Sequence, residues 1–125
     1  RQEDQARSGR TAYEIAAERV AGLLGHRLSA DERRRLGTAI HWALGVGAGI
    51  AYGAFGRRSR KLSRGGGGAF GTAFWAAVDE GLLTLSGLTP PPKAFPWETH
   101  ARGLAGHLAY GIVADRTLRI LDAVA

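Results

Sequence analysis

Two adjacent carboxylates, Asp79 and Glu80, stand inside an otherwise apolar stretch, and three histidines and an arginine complete the residues with chemical potential. Acids inside an apolar helix are costly unless paired, and they are the usual material of proton relays and register-locking clusters. His41 lies three residues into a nineteen-residue run without charge, Thr38 to Gly56, and His107 sits in the run from Leu104 to Ala114. His100 and Arg102 flank the latter run. Helix rise places Asp79 roughly 21 Å beyond Gly65, and His107 and His41 roughly 9 Å and 5 Å inside the opposite boundary. The spacing therefore predicts one polar layer of Asp79, Glu80, His41, His107, His100 and Arg102. A structural cluster that locks register, a proton or small-solute path, and tetrapyrrole ligation are the three readings of that layer. The last rests on Gly37 and Gly103, each four residues before a histidine, which would leave room for a flat macrocycle on His41 or His107. Zinc fits less well, because three suitable ligands would have to converge from separate helices.

The elements that would carry these residues are helical. Charge is segregated: fourteen charged residues fall in the first 37, then none until Arg57. Residues 1–10 read as a flexible polar lead-in. Tyr13, Ile15, Ala16, Val20, Leu23 and Leu24 recur at helical spacing with Gly25 as the stop, and Ser29 with Glu32 forms a capping box for the next start. The run Thr38 to Gly56 covers roughly 28 Å as a helix, a bilayer thickness. A second span is expected from the glycines at 65–68 to Leu88, and a third, weaker one from Ala101, beyond a proline loop. The expected fold is all-α and integral to a membrane: an amphipathic arm over residues 1–36, then three Gly/Ala-rich transmembrane helices over 37–125. The third span would look similar in a soluble helical bundle. Five basic residues at 57–64 place that loop in the cytoplasm by the positive-inside tendency, although the arginines of the arm argue the other way.

Small residues recur every four positions: Gly45, Gly49 and Gly53, then Ala73 and Ala77, then Gly103 with Gly111 at twice that spacing. Such rows let helix backbones approach closely. Moderate hydropathy of the spans predicts that much of their surface faces protein, either other membrane subunits or copies of the chain. A net charge of +6 suits anionic lipid headgroups; no nucleic-acid motif accompanies it. No cysteine is present, and neither a phosphate loop nor a nucleophile elbow occurs. Enzyme activity is not expected, and no cofactor is expected beyond the tetrapyrrole option.

Gly87-Leu88-Thr89-Pro90-Pro91, Pro96-Trp97 and Gly106-His107-Leu108 resemble segments of the bacterial inner-membrane family of unknown function typified by YagU. The resemblance runs over residues 30–120 and implies a multi-pass inner-membrane protein with no established activity. The expected role is a non-enzymatic accessory subunit of a larger bacterial membrane complex, respiratory or photosynthetic by analogy. The alternative is a small transporter or proton conductor built on the acid and histidine layer.

Overall fold

The computed structural model describes residues 9–124; most of the expected lead-in, residues 1–10, lies outside them. Helix α1 spans Ala12–Leu23 and α2 Ala30–Ala54. Helix α3 covers Gly68–Trp75, passes into seven residues of π-helix at Ala76–Leu82, and ends as α4 at Leu83–Leu85. Helix α5 runs from Trp97 to Val124.

Local chemistry sets these boundaries. Ser29 accepts from the Glu32 amide while the Glu32 carboxylate reaches back to the Ser29 amide, the expected box at the start of α2. Thr11 and Glu14 repeat it on α1. Each box satisfies two amides that a helix start leaves without intrahelical partners. Gly25, at φ 72°, turns the chain after α1. Gly67 precedes α3 at φ 92°, a left-handed conformation that glycine adopts without steric cost.

No helix among the described residues is long and apolar enough to cross a membrane. This overturns the expected three transmembrane helices. Length is not what fails, since α2 and α5, with 25 and 28 residues, extend about 37 and 42 Å. Apolarity fails. Helix α2 gives its first turns to Asp31, Glu32 and Arg33–Arg35, and glycine and alanine dominate the remainder. Helix α5 carries Glu98, Arg102, Asp115, Arg116, Arg119 and Asp122 along its length. The middle segment changes helix type at the carboxylates. Small residues contribute little transfer free energy, so nineteen uncharged positions do not make a strongly apolar helix.

The helices assemble by close backbone contact. Arg33 pairs with Glu18 at 3.0 Å, and a Cβ on Gly37 would stand 2.9–3.1 Å from Glu14, so α1 folds back antiparallel on α2. Ala12, Ala17 and Ala21 are the buried residues of α1. The expected boundary at residue 36 thus falls inside α2. Helix α3 runs antiparallel to α5, with Gly67 and Gly71 against Gly111 and the His107 carbonyl. Tyr110 donates to the Gly45 carbonyl at 2.6 Å, and Gly53 meets Leu118, which sets α5 alongside α2. Tyr52, Phe70 and Phe74 stack through the interior, with centroid separations of 4.2 and 6.0 Å. Val78 and Leu83 join Ala12 in a small core with Tyr13, Leu44, Phe74 and Leu88 packed against it.

Candidate functional site

A cleft of about 650 Å³ opens where α1, α2, the π-segment and the start of α5 meet. All six residues of the predicted polar layer line it: His41, Asp79, Glu80, His100, Arg102 and His107. The π-segment explains how neighbouring positions serve one site. Its wider turn carries Asp79 and Glu80 together onto the cleft wall, and such insertions into α-helices occur frequently at functional positions.

His100 is held from both sides. Its Nδ1 lies 2.5 Å from Glu80 Oε1 and its Nε2 3.0 Å from the Pro92 carbonyl. The Pro92 carbonyl only accepts, so Nε2 carries a proton, and a charged ring would donate to Glu80 as well. The Glu80 hydrogen bond accordingly holds the His100 pKa above its usual value, against partial burial that lowers it. This pair joins the proline loop to the π-segment.

His107 is arranged differently. Its Nδ1 is 2.9 Å from the Gly103 carbonyl and 3.9 Å from Asp79 Oδ2. Because the carbonyl only accepts, Nδ1 carries a proton. Phe74 meets the ring edge-on at 5.2 Å. His41 packs edge-on against Tyr13 at 4.9 Å and is exposed on the cleft mouth. Arg102 stands at the rim. Helix α1 supplies a wall that sequence reasoning did not assign, with Tyr13 and Glu14 facing the cleft. The Oγ1 atoms of Thr84 and Thr89, two further lining residues, are buried without a hydrogen-bond partner.

The glycines ahead of the histidines do not leave space for a macrocycle. The gap at Gly37 is filled by Glu14, and a Cβ at Gly103 would meet Trp75 Nε1 at 2.9 Å. Both glycines admit a neighbouring helix, so the tetrapyrrole reading of His41 and His107 finds no fit. Among the described residues, no three His, Cys, Asp or Glu side chains converge on a metal-sized position.

The small-residue rows divide. Gly49 faces the Tyr110 hydroxyl at 3.0 Å, Gly53 faces Leu118, and Gly103 and Gly111 face α3 and the π-segment. Gly45 has open space where a Cβ would stand, and Ala73 and Ala77 are exposed. On α3 the tight contact belongs instead to Gly67 and Gly71.

A second polar cluster lies at the far end of α5. Asp115 is 1% exposed, accepts from the Tyr52 hydroxyl at 2.8 Å and from Arg119 Nε at 2.6 Å. Burial raises the Asp115 pKa, but these two donors outweigh it and the net shift is downward. Burial, then the adjacent carboxylate, pushes Tyr52 up to about 12. Asp115 and Arg119 stand four apart on one helix, a spacing visible in the sequence; their meeting with Tyr52 was not.

No curated protein and no solved structure matches the chain. A family model does match, over residues 24–116, and covers α2, the cleft lining other than its α1 wall, and most of α5. The chain belongs to the family described as Protein of unknown function (DUF1440).

Proposed function

We propose that the protein is a non-enzymatic structural subunit that docks into a larger assembly through apolar helix faces. One observation carries the reading. Among the described residues fifteen large apolar side chains are exposed, whereas the buried apolar residues number six, three of them alanine. Scattered exposed apolar residues are ordinary, but contiguous rows are not. Trp42, Val46 and Ile50 form one row on α2, and Val113, Ile120, Leu121 and Val124 lie along the last turns of α5. The short motifs around Pro90 and His107 favour the YagU-like branch of the family, hence an assembly at the bacterial inner membrane. Exposed Arg58, Arg60, Lys61 and Arg64 suit anionic headgroups at its surface. In this reading partner subunits hold the chain there.

Affinity purification of the tagged full chain from native membranes in mild detergent tests it. Stoichiometric co-eluting proteins are expected. Recovery of the chain with no other protein would refute the reading.

The cleft favours a second reading, in which the subunit relays protons or passes a small polar solute for its assembly. Its support is the gathering of Asp79, Glu80, His100 and His107 on one wall system. Asp79→Asn with Glu80→Gln separates the two: a scaffold variant supports the activity of the assembly unchanged, and a relay variant assembles but loses flux.

A further inference from the structure

The proline loop that walls the cleft has few backbone donors with which to hold itself in place. Pro90, Pro91, Pro92 and Pro96 have no amide proton, and Ala94 and Phe95 donate back to the Pro91 and Pro92 carbonyls within the loop. Its near end is fixed. Arg19 donates to the Ser86 and Gly87 carbonyls at 2.7 Å each, and Gly87 turns the chain at φ 66°. Beyond that hinge, Thr89, Pro90, Pro92 and Phe95 line the cleft of about 650 Å³. A relay of two contacts, from the Pro92 carbonyl through the His100 ring to Glu80, ties this stretch to the π-segment.

The number of protons decides whether that tie closes. The Pro92 carbonyl accepts, so Nε2 donates to it. Glu80 Oε1 and His100 Nδ1 stand 2.5 Å apart, and two bare acceptors at that distance repel, so this contact is attractive only with a proton between them. A neutral imidazole beside a carboxylate has a single N–H for both contacts. With it on Nε2, the Nδ1 lone pair faces the carboxylate; with it on Nδ1, the Nε2 lone pair faces the carbonyl. Both contacts hold together only while the pair keeps its second proton.

The other titratable and charged side chains of the cleft are Tyr13 and Glu14 from α1, His41 from α2, Asp79 from the π-segment, and Arg102 and His107 from α5. Lys93 rides on the loop itself. Glu14 lies 3.9 Å from Arg33, and Asp79 lies 3.9 Å from His107 Nδ1. The charge that acts on the His100 ring is that of Glu80.

We propose that Glu80 and His100 form a proton-operated latch on the cleft: protonated, the pair holds the proline loop against the π-segment, and deprotonated it lets the loop swing from Gly87 and open the cleft. The Glu80 hydrogen bond raises the His100 pKa, so the closed form is complete below about pH 6.5 and is lost as pH rises through the raised value. Opening changes access to the cleft whatever the cleft takes up, so the latch does not rest on the structural-subunit reading.

The separation between loop and helix tests the latch. Because the chain has no cysteine, spin labels can be placed on Lys93→Cys in the loop and Ala73→Cys on α3, both exposed positions. Double electron–electron resonance on the full chain reads their distance between about pH 5.5 and about pH 9, on either side of the ordinary histidine range. One distance is expected in acid. A longer one should appear as pH rises, its ratio to the first growing about tenfold per pH unit, as release of one proton requires, in step with the His100 titration followed by NMR. Glu80→Ala in the labelled chain should show the longer distance throughout. His100→Gln, with no ring to titrate, should show no step, and it decides the matter if Glu80→Ala loses its helical circular dichroism. A separation that stays constant while His100 titrates, a His100 that does not titrate in this range, or a step that survives in either folded variant overturns the proposal.

Discussion

Gly71→Ala adds one methyl group at the point where α3 and α5 touch. The new Cβ would stand 2.1 Å from the His107 carbonyl oxygen, 2.8 Å from its carbon and 3.2 Å from the Leu108 Cα. All three are backbone atoms, so no side chain can rotate away. Restoring ordinary contact requires the helices to part by about 1 Å or more, and overpacking of this kind costs about 1–3 kcal/mol and sometimes more. Alanine returns up to about 1 kcal/mol of helix propensity, so the clash wins and a net loss of about 2 kcal/mol is expected. For a chain of this length that lowers the Tm by roughly 10 °C, readable as loss of helical circular dichroism on heating. Gly47→Ala is the control: it sits inside α2 with nothing within 4 Å of its Cβ, and it should raise the Tm by a few degrees. Gly111→Ala strikes the same seam, with Gly67 O at 2.4 Å and Gly71 N at 2.7 Å. The double variant should therefore lose less than the sum of the singles, since helices already parted make room for the second methyl. A Gly71→Ala protein that melts at or above the Gly47→Ala protein would refute the close-contact account.

Asp115→Asn should cost about 1–3 kcal/mol in chemical denaturation, because it replaces a charged acceptor of two donors in a buried position. The sign with pH follows from the depressed Asp115 pKa: its contribution is present above the ordinary carboxylate range and is lost as pH falls through the folded value, so wild type but not Asp115→Asn should lose this increment in acid. In the same variant the Tyr52 phenol, held at about 12, should titrate lower in ultraviolet absorbance, and an unchanged profile would contradict the hydrogen bond. His100 carries the opposite sign, since its folded pKa is raised; the stabilisation is full below about pH 6.5 and fades as pH rises through the folded value. Glu80→Gln should return the His100 resonance toward its ordinary titration range by NMR. Arg19 donates at 2.7 Å to each of the Ser86 and Gly87 carbonyls, so Arg19→Ala should loosen the end of α4 by about 1 kcal/mol, seen as faster hydrogen exchange over residues 84–89.

The sequence disclosed the parts governed by local chemistry. The capping box at Ser29, the stop at Gly25 and the start of a helix in the glycine run follow from backbone rules that need no neighbour. Helix rise along three expected membrane spans predicts a shared layer for Asp79, Glu80, His41, His100 and His107; the spans are absent among the described residues, and the five residues line one cleft. The membrane expectation failed because absence of charge was read as apolarity: the run from Thr38 to Gly56 is rich in glycine and alanine, which are neutral without being strongly hydrophobic. The π-segment was illegible because a change of helix type leaves the same residue pattern. The contact of Tyr52 with Asp115 joins positions 63 residues apart, and only packing brings them together.

The two halves of α5 do different work, and its glycines explain the division. At Gly111 and the His107 carbonyl the backbone lies against Gly67 and Gly71, a contact with no room for a side chain. One to two turns toward its N-terminus, at Gly103, the space holds Trp75, and the facing segment has widened from α- to π-helix. The tight seam anchors α3 to α5. Beyond it the π-segment swings Asp79 and Glu80 onto the cleft, where His100 joins Glu80 to the Pro92 carbonyl and closes the rim. A cleft beside a rigid seam keeps its shape only while that rim clip holds. Glu80→Gln should therefore loosen the proline loop while leaving the seam intact, with faster exchange at residues 92–100 and unchanged protection around Gly111. Equal loosening at both places would mean that seam and cleft are one cooperative unit, and the division argued from the glycines would be wrong.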